Sequence, residues 1–190
     1  MTTDEKIKSI LIKLLEEHPA DEITVKMVCL ESGLSRQTIY NHYYCLMDAL
    51  EESYKSELLS SIAECNSYSD WVEGLRRALR FFFSRKKVAL HLYNSSRKDD
   101  FMAIVKKHGE TLIRKGIDEC SRDEGIAVSE KDRLFMSDFY MYVFMGVVEK
   151  YFQDGMHENP DYICSRCDAM MRHHIRRTLR NLRDISLGAF

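Results

Sequence analysis

Residues 23–50 read ITVKMVCLESGLSRQTIYNHYYCLMDAL, and this stretch decides the fold prediction for the N-terminal part of the chain. Thr24 stands just before a short apolar run, where its side chain can cap a helix. Gly33 suits the left-handed turn that follows a helix, because it has no Cβ to clash. Ser35 is placed to cap the next helix. The stretch therefore predicts two helices joined by a tight turn, with Arg36–Tyr43 as the second.

The rest of the chain has the hydrophobic spacing of helices. Ile7, Leu11 and Leu14 share one face of a helix from Thr3, its expected cap, to Glu17. Further helices are predicted over Leu46–Cys65, Trp71–Phe82, Arg85–Asn94, Phe101–Cys120, Ser129–Asp154 and Asn159–Asp184, with a loop over Ser121–Val128. We therefore predict an all-α fold. In it, a three-helix helix-turn-helix DNA-binding domain over residues 1–50 precedes a larger helical dimerisation and effector domain over residues 51–190.

The composition fits a helical globular protein. Of the 190 residues, only 8 are Gly and 2 are Pro, which disfavours turn-rich β architectures. No secretion signal opens the sequence, and the apolar run Phe139–Val148 is far shorter than the roughly 20 residues that span a membrane. We therefore expect no membrane association and a cytoplasmic location, in which the 6 Cys are reduced thiols.

Charge is distributed unevenly, although the net charge is only -2. Residues 1–50 contain 5 Lys/Arg and 8 Asp/Glu, whereas residues 70–115 contain 12 and 5, and residues 116–161 contain 4 and 11. A DNA-binding module is usually basic. The acidic first segment therefore predicts weak nonspecific affinity for DNA, because that affinity comes from Lys and Arg side chains that neutralise phosphates.

The helix that begins at Arg36 has the side chains that would contact DNA. In a helix-turn-helix, the second helix enters the major groove with its N-terminal end. Arg can bond guanine, Gln can bond adenine, and a Thr methyl can contact a thymine methyl, whereas Tyr and His further along can reach phosphates. The predicted DNA-binding residues are Thr24, Lys26, Ser35, Arg36, Gln37, Thr38, Tyr40, Asn41, His42 and Tyr44.

Over its full length, this stretch resembles the N-terminal module of the TetR family of transcriptional regulators. A Gly-Leu-Ser turn alone is a weak signal, since helix-turn-helix shapes also occur in proteins that bind no DNA. The matching features are Ile23-Thr24, the small Cys29, Ser32-Gly33-Leu34-Ser35, Thr38-Ile39-Tyr40 and His42-Tyr43. The resemblance implies an all-helical fold whose larger domain dimerises and often binds an inducer, with repression as the usual outcome.

The resemblance also implies roles for individual residues. Gln37 and Thr38 would read bases, and phosphates would be held by Thr24, Tyr40 and His42. The family commonly has a lysine after the recognition helix, but this chain has Leu46 there, which removes a phosphate contact.

The second half, across about residues 71–180, is similar to one branch of the family, the dihydroxyacetone kinase regulator (DhaS-like) group. The similar stretch is YMYVFMGVVEKYFQDGMHENPDYICSRCDAMM, an aromatic-rich helix that ends in a Gly-Met turn. In that branch the effector is either a small ligand or a protein co-regulator, and both remain open here.

A homodimer is predicted through the last two helices. The helix predicted over Ser129–Asp154 is apolar on nearly every side between Phe139 and Val148. A second apolar face predicts a partner, most simply a second copy, although burial within one chain is the alternative. Two recognition helices would suit a palindromic operator in double-stranded DNA. The last helix would contribute Ile163, Met170, Met171, Ile175 and Leu179.

Ligand sites are less well defined. Met and aromatic side chains at helical spacing predict an effector cavity, although they are also typical of ordinary core: Tyr93, Phe101, Met102, Met136, Tyr140 and Phe144. Cys164 and Cys167 share a helix face, but a structural zinc needs four ligands, so we predict no metal and no other cofactor. Nucleotide-binding and hydrolase motifs are absent from the sequence, so an enzyme is not expected.

The sequence thus favours a dimeric, sequence-specific DNA-binding transcriptional regulator controlled by a small ligand or a partner protein. One alternative is a helical co-regulator that acts through protein–protein contacts and binds DNA weakly, which the acidic first segment and Leu46 favour. Another is a zinc-responsive regulator. The sequence Gln37-Thr38-Ile39-Tyr40 favours the DNA-binding regulator, which we adopt.

Overall fold

The computed structural model describes residues 1–46, 48–50, 52, 71–171 and 173–186, and all regular structure within these residues is helical. The fold class predicted from the sequence is confirmed. The helix predicted over Leu46–Cys65 lies mostly outside the described residues. The α-helices whose bounds the structure defines are α1 (Thr3–Glu17), α2 (Val25–Ser32), α3 (Arg36–His42), α4 (Trp71–Ser84), α5 (Lys86–Tyr93), α6 (Lys98–Glu124), α7 (Glu130–Gln153), α8 (Pro160–Met171) and α9 (His174–Ser186). A short 3-10 helix over Ala20–Glu22 lies between α1 and α2.

The chain divides into two compact units. The first combines α1–α3 with the segment Phe82–Ile104, and the second combines the segment that ends at Phe81 with the chain from Val105 onward. The domain boundary expected at residue 50 stays a prediction. None of the described helices is long and apolar enough to cross a membrane.

In the first unit, α1 buries one apolar face. Leu11 and Leu15 are completely buried there. The predicted cap Thr3 is wrong by one residue, because the side chain of Thr2 accepts the hydrogen bond from the Glu5 N–H. At the other end of the helix, α5 approaches closely, and His91 Nδ1 lies 2.7 Å from the Leu15 carbonyl oxygen.

The second unit has its core between α6, α7 and α9. The cluster of buried residues comprises Ile117, Cys120, Ile126, Met136, Tyr140, Ile175 and Leu179. The loop predicted to begin at Ser121 begins later, because α6 continues to Glu124. Glu124 accepts hydrogen bonds from Arg176 and Arg180 of α9, and these contacts hold the last turn of α6 in place.

The single helix predicted over Asn159–Asp184 is wrong, because the structure has two helices there. α8 ends at Met171, α9 begins at His174, and His173 between them has a left-handed φ of 60°. The break accompanies the packing of α9 into the core of its own unit, where Leu179 is completely buried. Ile175 and Leu179 therefore pack within one chain, and their predicted place on a dimer surface is also wrong.

Candidate nucleic-acid interface

The helix-turn-helix has the local geometry that its sequence predicts. Thr24 Oγ1 caps α2 by accepting a hydrogen bond from the Met27 N–H at 3.3 Å. Gly33 ends α2 with a left-handed φ of 66°, a conformation that costs glycine little. Ser35 Oγ caps α3 by accepting from the Thr38 N–H at 3.0 Å. Both predicted caps are confirmed, whereas α3 ends one residue earlier than predicted, at His42.

Two serines fix the turn between α2 and α3. Ser32 is buried, and its Oγ accepts a hydrogen bond from the Leu34 N–H at 3.1 Å. Ser35 Oγ also lies 2.9 Å from Thr38 Oγ1, so the Thr38 hydroxyl is held by the cap. The role of Ser32 was not predicted from the sequence, although a serine just before the turn glycine is a recognisable local signal.

α3 has one buried face and one exposed face. Ile39 and, just after the helix, Tyr43 are buried. Gln37 Nε2 donates a hydrogen bond to Asn41 Oδ1 at 3.3 Å on the exposed side. All the predicted DNA-binding residues are exposed, apart from the half-buried Thr38: Thr24, Lys26, Ser35, Arg36, Gln37, Tyr40, Asn41, His42 and Tyr44. The chain therefore presents a surface of hydrogen-bonding groups here.

Carboxylates neutralise part of the positive charge near this surface. Lys8 Nζ lies 2.8 Å from Asp4 and 3.4 Å from Glu52, and Lys13 Nζ lies 2.7 Å from Glu31. The hydrogen bond to Glu31 raises the pKa of Lys13. Partial burial acts to lower the pKa of Lys8, but the hydrogen bond and charge of Asp4, together with Glu52, outweigh it and raise that pKa.

Three of the five Lys/Arg in residues 1–50 form no ion pair within the part of the chain that the structure describes. They are Lys6, Lys26 and Arg36. Lys26 and Arg36 are also exposed. The positive charge available to an anionic ligand is therefore small, and two of its sources lie on the helix-turn-helix.

The predicted effector residues are divided between the two units, and a cavity that they would share stays a prediction. Tyr93 and Phe101 are buried in the first unit, where Phe101 makes an edge contact with Phe82, and Met102 is half-buried there. The second unit contains the other three residues, of which Met136 and Tyr140 belong to its packed core and Phe144 is half-buried. A separate cavity of about 250 Å³ in the first unit is lined by other residues, including Leu11, Leu15, Ile23, Leu46 and Arg97.

The cysteine pair lies in an environment that disfavours thiolates. Cys164 is completely buried, and burial raises its pKa to about 12. Burial also raises the pKa of Cys167. Zinc is bound by the deprotonated thiolate, so this environment opposes metal binding. Within the described ranges, no group of three or more His, Cys, Asp or Glu side chains is arranged to hold a metal ion.

α7 exposes a second surface, which is apolar. One side of the helix packs in the core with Met141 and Val148, which are nearly completely buried. The other side exposes 73% of Phe135, 49% of Phe139 and 74% of Tyr142. Leu134 and Val143 are also exposed beside them. One chain thus leaves uncovered part of the apolar surface that the sequence predicted to be buried.

Comparison with known proteins identifies a matching family profile and a similar solved structure. A TetR-type family profile, described as "Transcriptional regulator C-terminal region", matches residues 69–173, which is more than half of the chain. Among solved structures, the "Dihydroxyacetone kinase operon activator DhaS" is similar, with a TM-score of 0.71 and 16% identity over 92% of this chain and 96% of that chain. At this identity the similarity shows a shared fold. A search of curated proteins finds no match.

Proposed function

Because the chain belongs to the TetR family of transcriptional regulators, we propose that it is a dimeric, sequence-specific DNA-binding regulator. It binds a palindromic operator in double-stranded DNA by inserting α3 into the major groove. A small ligand or a partner protein controls the occupancy of the operator. We propose repression as the outcome, because repression is the usual outcome in the family to which the chain belongs.

The exposed face of α3 is the observation on which this proposal rests. The helix begins with Arg36 and Gln37 after a firmly capped turn, so these long side chains stand at the end that enters a groove. Behind them, Ile39 and Tyr43 are buried and fix the helix to its own unit. A face that is polar, aromatic-tipped and rigidly supported suits DNA bases and phosphates.

Gln37 has the hydrogen-bonding groups that adenine recognition requires. One N–H of its Nε2 is used by Asn41, at 3.3 Å. The carboxamide retains a second N–H and both lone pairs of its oxygen. Adenine offers one acceptor and one donor in the major groove, so the remaining groups of Gln37 can bond it bidentately while Asn41 orients the side chain.

The exposed apolar side of α7 supports the proposed dimer. Phe135, Phe139 and Tyr142 lie at successive spacings of four and three residues, so they share one side of the helix. Large exposed apolar patches mark interaction sites. A symmetric partner would cover the patch with an identical patch, which closes the assembly at two copies. Met170 on α8, 74% exposed, is a further apolar contribution.

The sparse positive charge predicts modest dependence of operator binding on salt. If Lys6, Lys26 and Arg36 contacted phosphates in each of two copies, the logarithm of the affinity would fall with the logarithm of salt concentration with a slope of only about -5. Sequence-independent binding would be weak, and base contacts would supply the preference for the operator.

The same charge distribution favours a second function, that of a helical co-regulator. Residues 1–50 have 5 Lys/Arg against 8 Asp/Glu, and the position where the family commonly has a lysine is Leu46. In this case the protein would reach DNA only together with another regulator. Its exposed apolar patch on α7 would then contact that regulator.

A DNA selection experiment distinguishes the two functions. Sheared genomic DNA is incubated with tagged protein at low and moderate salt, and the retained fragments are sequenced. The test variant is the double substitution Gln37→Ala, Tyr40→Ala. The control is Tyr162→Ala, because Tyr162 on α8 is 50% exposed and Tyr40 is 54% exposed.

The two outcomes differ clearly. A DNA-binding regulator recovers a palindromic site with the native protein and the Tyr162→Ala control, and not with the double variant. If native and double-variant proteins retain the same unspecific DNA, or none, the co-regulator function is supported instead. A reporter gene placed behind the recovered site then distinguishes repression from activation, the role in the name of the structural relative.

A further inference from the structure

A charged hydrogen-bond cluster joins the end of α3 to the first helix. The Tyr43 hydroxyl donates to the Asp4 carboxylate, although 39 residues separate them. Lys8 Nζ pairs with the same carboxylate at 2.8 Å and lies 6.0 Å from the centre of the Tyr43 ring. It also pairs with Glu52 at 3.4 Å. We call Asp4, Lys8 and Tyr43 the α1–α3 cluster.

The hydrogen bond to Asp4 should fix the end of α3 more firmly than burial of the Tyr43 ring alone would. Tyr43 is only 6% exposed, so its ring already contributes apolar contacts at the end of α3. A phenylalanine would supply those contacts and leave the helix end free to rotate slightly. A hydrogen bond to a carboxylate is directional and stronger than a neutral one. The Lys8 ammonium fixes that carboxylate in turn, since its side chain is only 20% exposed.

The residues beside Tyr43 are the ones that the proposed function places at phosphates. His42 precedes it and Tyr44 follows it, and both are exposed. A shift of the Tyr43 backbone therefore shifts both neighbours directly. Tyr40 and Ile39 lie one helical turn earlier, so a rotation of the helix end would also change how α3 meets base edges.

We propose that the α1–α3 cluster is a positioning device that sets operator affinity and sequence preference without touching DNA. The inference rests on the proposed function. It assigns a role in DNA binding to Asp4 and Tyr43, although neither residue would contact DNA. The hydroxyl of Tyr43, rather than its ring, is the group that carries this role.

The decisive variant is Tyr43→Phe, which removes the hydroxyl and keeps the ring. Asp4→Asn is the second variant, because it keeps a hydrogen-bond acceptor near the chain start and removes the charge. The control is Ser96→Ala, which removes the hydrogen bond that the Ser96 hydroxyl donates to Asp21 Oδ1 at 2.7 Å in the same unit and does not involve α3. Affinities for the recovered operator and for random DNA are measured together with thermal unfolding.

The positioning role predicts a loss of specific binding that stability does not explain. We expect Tyr43→Phe to bind the operator about tenfold more weakly, the size expected for one hydrogen bond to a charged group, while its affinity for random DNA is unchanged. Ser96→Ala should bind the operator normally at a comparable loss of thermal stability. Equal operator affinity for Tyr43→Phe and native protein would overturn the proposal.

A double-mutant cycle provides the second test. If the hydroxyl acts through Asp4, the variant with both Tyr43→Phe and Asp4→Asn should lose no more operator affinity than the worse single variant. Additive losses would overturn the positioning role. Failure of the proposed function is distinguishable from either result, because native protein would then select no operator at all.

Discussion

α3 and α7 both expose aromatic side chains, but the chemistry of the exposed groups differs. The rings near α3 belong to Tyr40 and Tyr44, whose hydroxyls can donate and accept hydrogen bonds. On α7, Phe135 and Phe139 have no polar atom at all. Exposure of aromatic surface is therefore common to the two proposed interfaces, which differ in kind. Polar tips among hydrogen-bonding neighbours suit a hydrated, anionic groove, whereas bare rings suit another apolar surface.

The two faces of α3 should separate stability from DNA binding. Ile39 is 1% exposed, so Ile39→Ala leaves a cavity and should lower the free energy of unfolding by about 3 kcal/mol. Gln37→Ala changes an exposed side chain and should alter that free energy by less than about 0.5 kcal/mol while it reduces operator affinity. Denaturant unfolding of both variants checks this, and similar losses of stability would contradict the assignment of the faces.

The exposed face of α7 should decide the oligomeric state. Phe135→Glu with Phe139→Glu places two like charges in the proposed interface, and the protein should become monomeric at micromolar concentration. Loss of an aromatic anchor from an interface costs about 2 kcal/mol, which corresponds to about thirtyfold in affinity. Operator affinity should therefore fall by at least about thirtyfold. Light scattering measures the mass.

The matched control for this variant is Phe83→Glu, because Phe83 is 45% exposed and lies on α4. It should remain dimeric and bind the operator normally. A dimer that survives both charges on α7 would place the interface elsewhere and would break the contrast between α3 and α7.

The serine caps of the two helices provide a smaller effect. Ser35 Oγ accepts from the Thr38 N–H, and Ser129 Oγ accepts from the Asp132 N–H at 3.1 Å. Ser35→Ala and Ser129→Ala should each lower the free energy of unfolding by about 1 kcal/mol. Only Ser35→Ala should also weaken operator binding by more than its loss of stability explains, since Ser35 caps the helix that we propose to bind DNA. Equal effects on binding would remove this distinction.

Acid should weaken the attachment of α9 to α6, with little direct effect on α3. Hydrogen bonds from Arg180 and Arg176 lower the pKa of Glu124 from its usual 4.5 to about 2. Because the folded pKa is the lower one, this contribution to stability is present above about pH 4.5 and is lost as the pH falls toward 2. Thermal unfolding of native protein and Glu124→Gln, measured from pH 6 to 2, checks it. The gap between the two melting temperatures should close with falling pH, and a constant gap would contradict the role of the charge.

The helix-turn-helix was predictable because its determinants are local. Thr24, Gly33 and Ser35 each act on backbone groups within three residues or at their own position, so their identities in the sequence are enough. The buried positions Ile39 and Tyr43 follow from the spacing of a short helix. The partner of the Tyr43 hydroxyl was not predictable, because Asp4 lies in another helix and no pattern links the two.

The end of the chain was harder to predict for the same physical reason. Residues 159–184 have helical spacing throughout, with no glycine or internal proline to indicate a break. The break at His173 accompanies long-range contacts, in which Arg176 and Arg180 bind Glu124 and Leu179 enters the core. The spacing also placed Ile175 on an apolar face of the helix, but spacing alone does not show which neighbouring element covers that face. Packing within the chain decided that question.

The ion pairs of Lys8 and Lys13 affect how many copies of the protein a cell would need to keep an operator occupied. Genomic DNA competes for any DNA-binding protein with on the order of a million or more nonspecific sites. A regulator whose lysines are already neutralised by Asp4 and Glu31 is sequestered little by that excess. A larger share of its copies stays free to search, so a small number of molecules would be enough to keep one operator occupied.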